Sequence, residues 1–195
     1  MARRILLLLA ALVALAGCAK SSASQFAGAV LHEPYHVPAT SLKDTSGRPF
    51  SLAGSTDKRL TLVFFGYTHC PDECPTTMAT LASAMLQLDS ADRDSVQVVF
   101  VTTDPARDTG LVIRHWLDRF DTSFVGATGP LPKIVKVARQ VGVPIEKGRR
   151  LPSGGYDVTH GTQVLEIDSN NIVPVVWTLG TTASEYAHDI HQLLS

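Results

Sequence analysis

The strongest constraint on this chain is an alternation of strand-like and helix-like segments that begins at residue 60. Leu60-Thr61-Leu62-Val63-Phe64-Phe65-Gly66 is a short, unbroken apolar run, the pattern of a central strand buried on both faces. Met78, Leu81, Ala82, Met85, Leu86 and Leu88 then recur at helical spacing. Residues 96–102 read as a second strand, and residues 111–120 as a helix with Leu111, Trp116, Leu117 and Phe120 toward the core. A short strand at 123–127 and a helix at 132–141 follow. Residues 146–155 read as a loop by their Gly, Pro and Arg content. Residues 162–167 and 172–178 form an antiparallel hairpin turning at 168–171, and residues 183–194 a closing helix capped by Thr181 or Thr182. Upstream, residues 41–43 and 49–52 flank the turn Asp44-Thr45-Ser46-Gly47, a small N-terminal hairpin. The order predicts an α/β domain whose sheet is partly parallel with helices on its faces. Periodicity alone does not choose among such folds.

The first residues stand apart from this pattern. Met1-Ala2-Arg3-Arg4 is basic, and the apolar stretch at 5–15 is too short to span a bilayer, so together they read as a secretory signal. Leu15-Ala16-Gly17-Cys18 resembles a bacterial lipobox, which implies cleavage before Cys18 and lipid on its sulfur. The expected organisation is a lipoprotein signal peptide at 1–17, a lipidated flexible tether at 18–36 and one domain at 37–195. Such a protein is held at a membrane surface on the extracytoplasmic, periplasmic side. A net charge of −1 with no basic stripe argues against nucleic acid as a partner.

Of three cysteines, the lipobox accounts for one and leaves Cys70 and Cys74. They sit where a buried strand gives way to a helix, at the carboxyl edge of the sheet, where sites gather in open α/β folds. Free N–H groups and the positive dipole end at a helix start are expected to favour thiolate over thiol. Residues four apart in a first helical turn share a face, so both sulfurs can meet at one point. That geometry suits a disulfide or a shared soft metal, Cu(I) foremost and zinc next. A structural disulfide is a weak reading, because so small a loop removes little unfolded-state entropy. A dithiol oxidoreductase usually has two residues between its cysteines rather than three. Structural zinc wants four ligands, and two thiolates completed by a histidine fit copper better. His69 adjoins Cys70 and is expected to be structural.

At this point Gly66-Tyr67-Thr68-His69-Cys70-Pro71-Asp72-Glu73-Cys74-Pro75 resembles the signature of the Sco/SenC copper chaperones. Residues 103–109 (Thr103-Asp104-Pro105-Ala106-Arg107-Asp108-Thr109) and 123–129 look like two further blocks of that family. Val158-Thr159-His160-Gly161 lies where the family places a copper-ligating histidine. The resemblance spans residues 37–195 and implies a thioredoxin-like fold with an N-terminal hairpin and a C-terminal β-hairpin plus helix. It implies copper, as Cu(I) or Cu(II), held by Cys70, Cys74 and His160. It also implies a role in assembling the dinuclear copper centre of cytochrome c oxidase. The partners would be subunit II of that oxidase or another copper-receiving protein, and a thiol reductant. A mobile Gly- and Pro-rich loop before His160 could let the ligand close and retreat. One departure is Thr159, where the family usually has an acidic residue. Asp157 is near, but on the strand face shared with Thr159.

Other candidates carry duller readings. Asp104 caps a turn and pairs with Arg107 in support of the site. His188 and His191 belong to a solvated helix end, His32 and His36 to the tether, and Arg149 and Arg150 to solvent. With only Met1, Met78 and Met85, the chain has no methionine-rich copper motif. The expected function is therefore redox-gated copper carriage, not enzymatic turnover. The alternative is a thiol–disulfide oxidoreductase that reduces the cysteines of a copper-site protein. A thiol peroxidase fits less well, since Tyr67 stands three before Cys70 where peroxiredoxins carry threonine.

Overall fold

The computed structural model describes residues 26–54, 58–150 and 156–195. Its centre is an eight-stranded sheet, in spatial order β1 (Ala29–His36), β10 (Ile172–Trp177), β9 (Val164–Asp168), β4 (Leu60–Gly66), β5 (Val96–Thr102), β6 (Val125–Thr128), β2 (Leu42–Asp44) and β3 (Pro49–Phe50). β4, β5 and β6 run parallel to one another, and every other pairing in the sheet is antiparallel. Five helices complete the described chain: α1 (Glu73–Gln87), α2 (Ser90–Asp94), α3 (Gly110–Leu117), α4 (Leu131–Gln140) and α5 (Ala183–Leu194). This is the mixed α/β, thioredoxin-like architecture expected from the sequence, with β2–β3 as the N-terminal hairpin and β9–β10 plus α5 at the C-terminus.

The continuous apolar runs earn their burial on two faces at once. Leu60, Leu62 and Phe64 of β4 join Val98 and Phe100 of β5 in a core built with α1, α3 and α5. The alternate residues Val63, Phe65, Val99 and Val101 join a second core with Ile134, Val137 and Ala138 of α4. Period-two alternation thus feeds both cores from each central strand. The closing helix α5 opens with a capping box between Thr182 and Glu185, as its sequence suggests.

Three expectations need correction. Residues 29–36, assigned to the tether, form edge strand β1, which pairs antiparallel with β10 from Ala29↔Val176 to His36↔Ile172. Its side chains are mostly exposed and Pro34 falls in the irregular stretch of the register, so no apolar alternation marked it. Backbone pairing, not side-chain burial, makes it a strand. The expected loop at 146–155 likewise contains much of β7 (Ile145–Arg150), which pairs with β8 (Tyr156–His160) in a separate two-stranded ribbon. Leu111, expected in the core, is exposed, while Ile113, Trp116 and Leu117 fill the inner face of α3.

The chain enters the sheet through a buried clasp. Asp189 of α5, fully buried, accepts N–H bonds from Ala27 at 3.0 Å and Gly28 at 2.8 Å, and the indole N–H of Trp177 at 2.8 Å. Gly28 is needed here: a Cβ would fall 2.5 Å from Val175 and 2.9 Å from the Trp177 ring nitrogen.

Candidate metal centre

β4 ends at Gly66, and the six residues after it turn the chain into α1. Both cysteines are free: Cys70 is half-buried in the turn ahead of the helix, and Cys74 is fully buried in its first turn. The backbone N–H of Cys74, one of the donors a helix start leaves without an intrahelical partner, donates to Cys70 Sγ at 3.4 Å. The two sulfurs therefore do share one locality, although Cys70 lies outside the helix rather than on its face.

Gly66 makes room for the buried sulfur. A Cβ there would lie 3.0 Å from Cys74 Sγ and 2.9 Å from the Phe64 ring. Its carbonyl accepts from both the backbone N–H of Thr103 at 2.6 Å and the Thr103 hydroxyl at 3.1 Å, so the end of β4 is tied to the chain leaving β5.

β8 delivers the third side chain. His160 faces Ile145 in the β7–β8 ribbon, and the following N–H of Gly161 bonds the Pro144 carbonyl at 3.0 Å. His160 Nε2 lies 3.6 Å from Cys74 Sγ. Its other nitrogen, Nδ1, is 2.9 Å from the Gly161 carbonyl, which can only accept, so Nδ1 carries the hydrogen and Nε2 presents its lone pair to the sulfur. The ring stands edge-on to Phe64 and Tyr67, with centroids 6.1 and 5.8 Å away. Burial in this aromatic wall pushes the His160 pKa down, keeping the imidazole neutral.

For Cys74 the electrostatic expectation reverses. Burial pushes its thiol pKa far up, outweighing the N–H donors and helix dipole invoked from sequence. The sulfur stays protonated until a cation or an oxidant reaches it. Bonds of about 2.3 Å to sulfur and 2.0 Å to nitrogen at a near-tetrahedral angle separate two ligand atoms by about 3.5 Å. The observed 3.6 Å matches that span.

The loop that carries Cys70 is held by a buried carboxyl whose role no local sequence pattern marks. Asp108, fully buried, accepts from the Thr68 N–H at 2.9 Å, the Thr68 hydroxyl at 2.6 Å and the Thr102 hydroxyl at 2.7 Å. Its one readable signal was position: residues 103–109 follow β5, whose carboxyl end adjoins that of β4. Asp104 pairs with Arg107 as expected, and the Arg107 guanidinium stands 5.9 Å from the Tyr67 ring centre. His69 is exposed, with Nδ1 3.1 Å from the Thr68 hydroxyl and 3.5 Å from Asp108, so it braces the loop. His191 is not merely solvated but bonds Asp92 at 2.6 Å. Cys18 and the side chains of Arg149, Arg150, Asp157 and Thr159 lie outside the described residues.

Comparison with known proteins puts this geometry in context. The family model SCO1/SenC matches residues 32–195. The solution structure of apo Sco1 from Thermus thermophilus superposes with a TM-score of 0.78 at 29% identity, covering 89% of this chain and 99% of that one. The structure of Bradyrhizobium japonicum ScoI with copper bound superposes with a TM-score of 0.70, also at 29% identity, over 83% of this chain and 98% of its own. A Stutzerimonas stutzeri protein whose name describes copper binding is 33% identical over 124 residues, which is 64% of this chain and 60% of that protein. The chain thus spans less than two thirds of the length of this curated relative.

Proposed function

The chain belongs to the SCO1/SenC family, and from that premise we propose that it is a copper-binding metallochaperone whose ligands are Cys70, Cys74 and His160. The observation that carries the reading is the 3.6 Å approach of His160 Nε2 to Cys74 Sγ, with the imidazole neutral and its other nitrogen already satisfied. Two soft sulfurs and an imidazole are a donor set for Cu(I), and one that Cu(II) also accepts. The copper-bound ScoI relative supports the choice of metal.

Copper is cargo here, and the protein's part is to hold and release it. Binding displaces the thiol protons, so acid competes with the metal. Oxidation of Cys70 and Cys74 to a disulfide removes two electrons and two protons and leaves neither sulfur able to bind as thiolate. Redox state then gates loading, and a thiol reductant resets the pair. The receiving partner is subunit II of cytochrome c oxidase or another protein with a copper site to fill. Residues 1–17 are a signal peptide, Cys18 carries lipid, and the tether ends where the clasp begins, near residue 26. The domain then works on the extracytoplasmic side of the membrane. Among the described residues no helix is long and apolar enough to cross a membrane.

A second reading draws on the contrast between half-exposed Cys70 and buried Cys74. An accessible attacking sulfur backed by a sheltered resolving one is the arrangement a thiol–disulfide oxidoreductase uses. One experiment separates the two. The reduced domain (residues 23–195) is titrated with Cu(I) against a chromophoric chelator and with Cu(II) by absorbance, beside Cys70→Ser, Cys74→Ser and His160→Ala. One copper per chain, with affinity and sulfur-to-copper absorption lost in each variant, is the expected result. Weak copper binding alongside rapid reduction of a disulfide substrate would make the protein an oxidoreductase. Unchanged affinity and spectrum in His160→Ala would remove that ligand from the assignment.

A further inference from the structure

The strand register says which end of the domain the membrane anchor holds. β4 runs toward the cysteines and ends at Gly66, and its antiparallel neighbour β9 places Val164 opposite Phe64. Val164 pairs with Trp177 at the end of β10, and the adjacent Val176 pairs with Ala29, the first residue of β1. Three antiparallel pairings thus carry one end of the sheet from the cysteines to the edge strand. β1 begins at the end that holds Cys70, Cys74 and His160, and finishes at His36, opposite Ile172, at the far end. The Asp189 clasp fixes Ala27 and Gly28 there, and Phe26 packs against the core.

We propose that this end of the sheet faces the membrane, so that the domain serves a partner that presents its receiving site close to the bilayer surface. The proposal rests on the lipidation of Cys18 put forward above.

Lengths decide the orientation. Eight peptide links separate Cys18 from Phe26, and seven small or polar residues fill them. Fully stretched, such a link reaches at most about 28 Å. β1 carries the fold about 26 Å away from the attachment point. Turning the far end to the membrane would require the link to lie nearly taut along the side of the domain, an arrangement of very low chain entropy. The end with the cysteines needs no such extension. β4 is three strands in from β1, so the sulfurs sit about 14 Å sideways from the anchored edge. A partner that collects copper from this site needs soft donors held within a few tens of ångströms of the lipid surface.

The test is energy transfer from the lipidated full-length protein to a rhodamine-headgroup lipid in phosphatidylcholine vesicles. Cys70→Ser and Cys74→Ser remove competing thiols. A donor dye is then placed on Leu179→Cys, an exposed position just past β10 at the site end, or on Ser169→Cys, in the exposed β9–β10 turn at the far end. Transfer from position 179 is expected to exceed that from 169 several-fold, and a 20-residue Gly/Ser insertion before Gln25 should bring the two together. Flotation with the vesicles but equal or reversed transfer overturns the orientation alone. Failure to float overturns the lipidation of Cys18 and the orientation with it.

Discussion

Glu166 is a carboxyl placed where a carboxylate is costly. It lies in β9 opposite Leu62 and is 4% exposed, and one of its oxygens has no hydrogen-bond partner. Burial, with a smaller push from Asp168, raises its pKa from 4.5 to about 7. An acid whose folded pKa is raised favours the fold while protonated. That contribution is full below about 4.5 and is lost as pH rises through about 7. Between pH 5 and pH 8 the unfolding free energy from urea titrations should therefore fall by about 2 kcal/mol more in the parent than in Glu166→Gln. Equal pH dependence in the two proteins would exclude a buried, late-ionising Glu166. His191 responds in the same sense, since a raised pKa adds stability that is lost as pH climbs. The hydrogen bond that its ring N–H donates to Asp92 raises its pKa, so its nuclear magnetic resonance titration midpoint should lie above 6.5 and drop in Asp92→Asn.

At the scale of elements, the edge strand and the cysteine turn depend on single buried carboxylates. Asp189 holds the start of β1 through two backbone N–H groups and one indole. Charge-assisted bonds of this kind contribute about 1.5–3 kcal/mol each before the cost of burying the charge. Asp189→Ala leaves those donors unpaired in the interior and should lower stability by about 3 kcal/mol. Amide exchange should quicken at residues 27–36 before it does in β4 and β5. Uniform quickening across the sheet would instead mean that Asp189 supports the whole core rather than the edge. Asp108 does the comparable work for the Thr68 turn, from the opposite side of β4.

At the scale of the whole molecule, ligation and folding are linked, because the three proposed ligands lie on two segments that meet only in the folded state. Cys70 stands just ahead of α1 and Cys74 in its first turn, while His160 ends β8, 86 residues beyond Cys74. Copper that binds the native chain far better than the unfolded one stabilises it by about 2.7 kcal/mol at a free concentration one hundred times the dissociation constant. Addition of Cu(I) under reducing conditions should accordingly raise the melting temperature of the parent. The rise should be much smaller in His160→Ala and absent in the double Cys70→Ser, Cys74→Ser variant. An equal rise in all three proteins would place the bound copper elsewhere on the chain.

The central strands, the helices at 73–87, 131–140 and 183–194 and the cysteine turn were legible in the sequence, since hydrophobic period and capping residues are local and each segment carries its own signal. Cys70 and Cys74 were legible as a pair for the same reason, being four residues apart. What the sequence could not set were relations between distant segments. β1 and β7 are strands because a neighbouring backbone pairs with them, and the side chains of β1 show no buried alternation. Asp108 and Asp189 matter because folding brings unpaired donors to them. The Cys74 thiol is the sharpest case: its place at a helix start argued for a lowered pKa, and only the depth of the surrounding core, assembled from β4, β5 and α1, turned the shift upward.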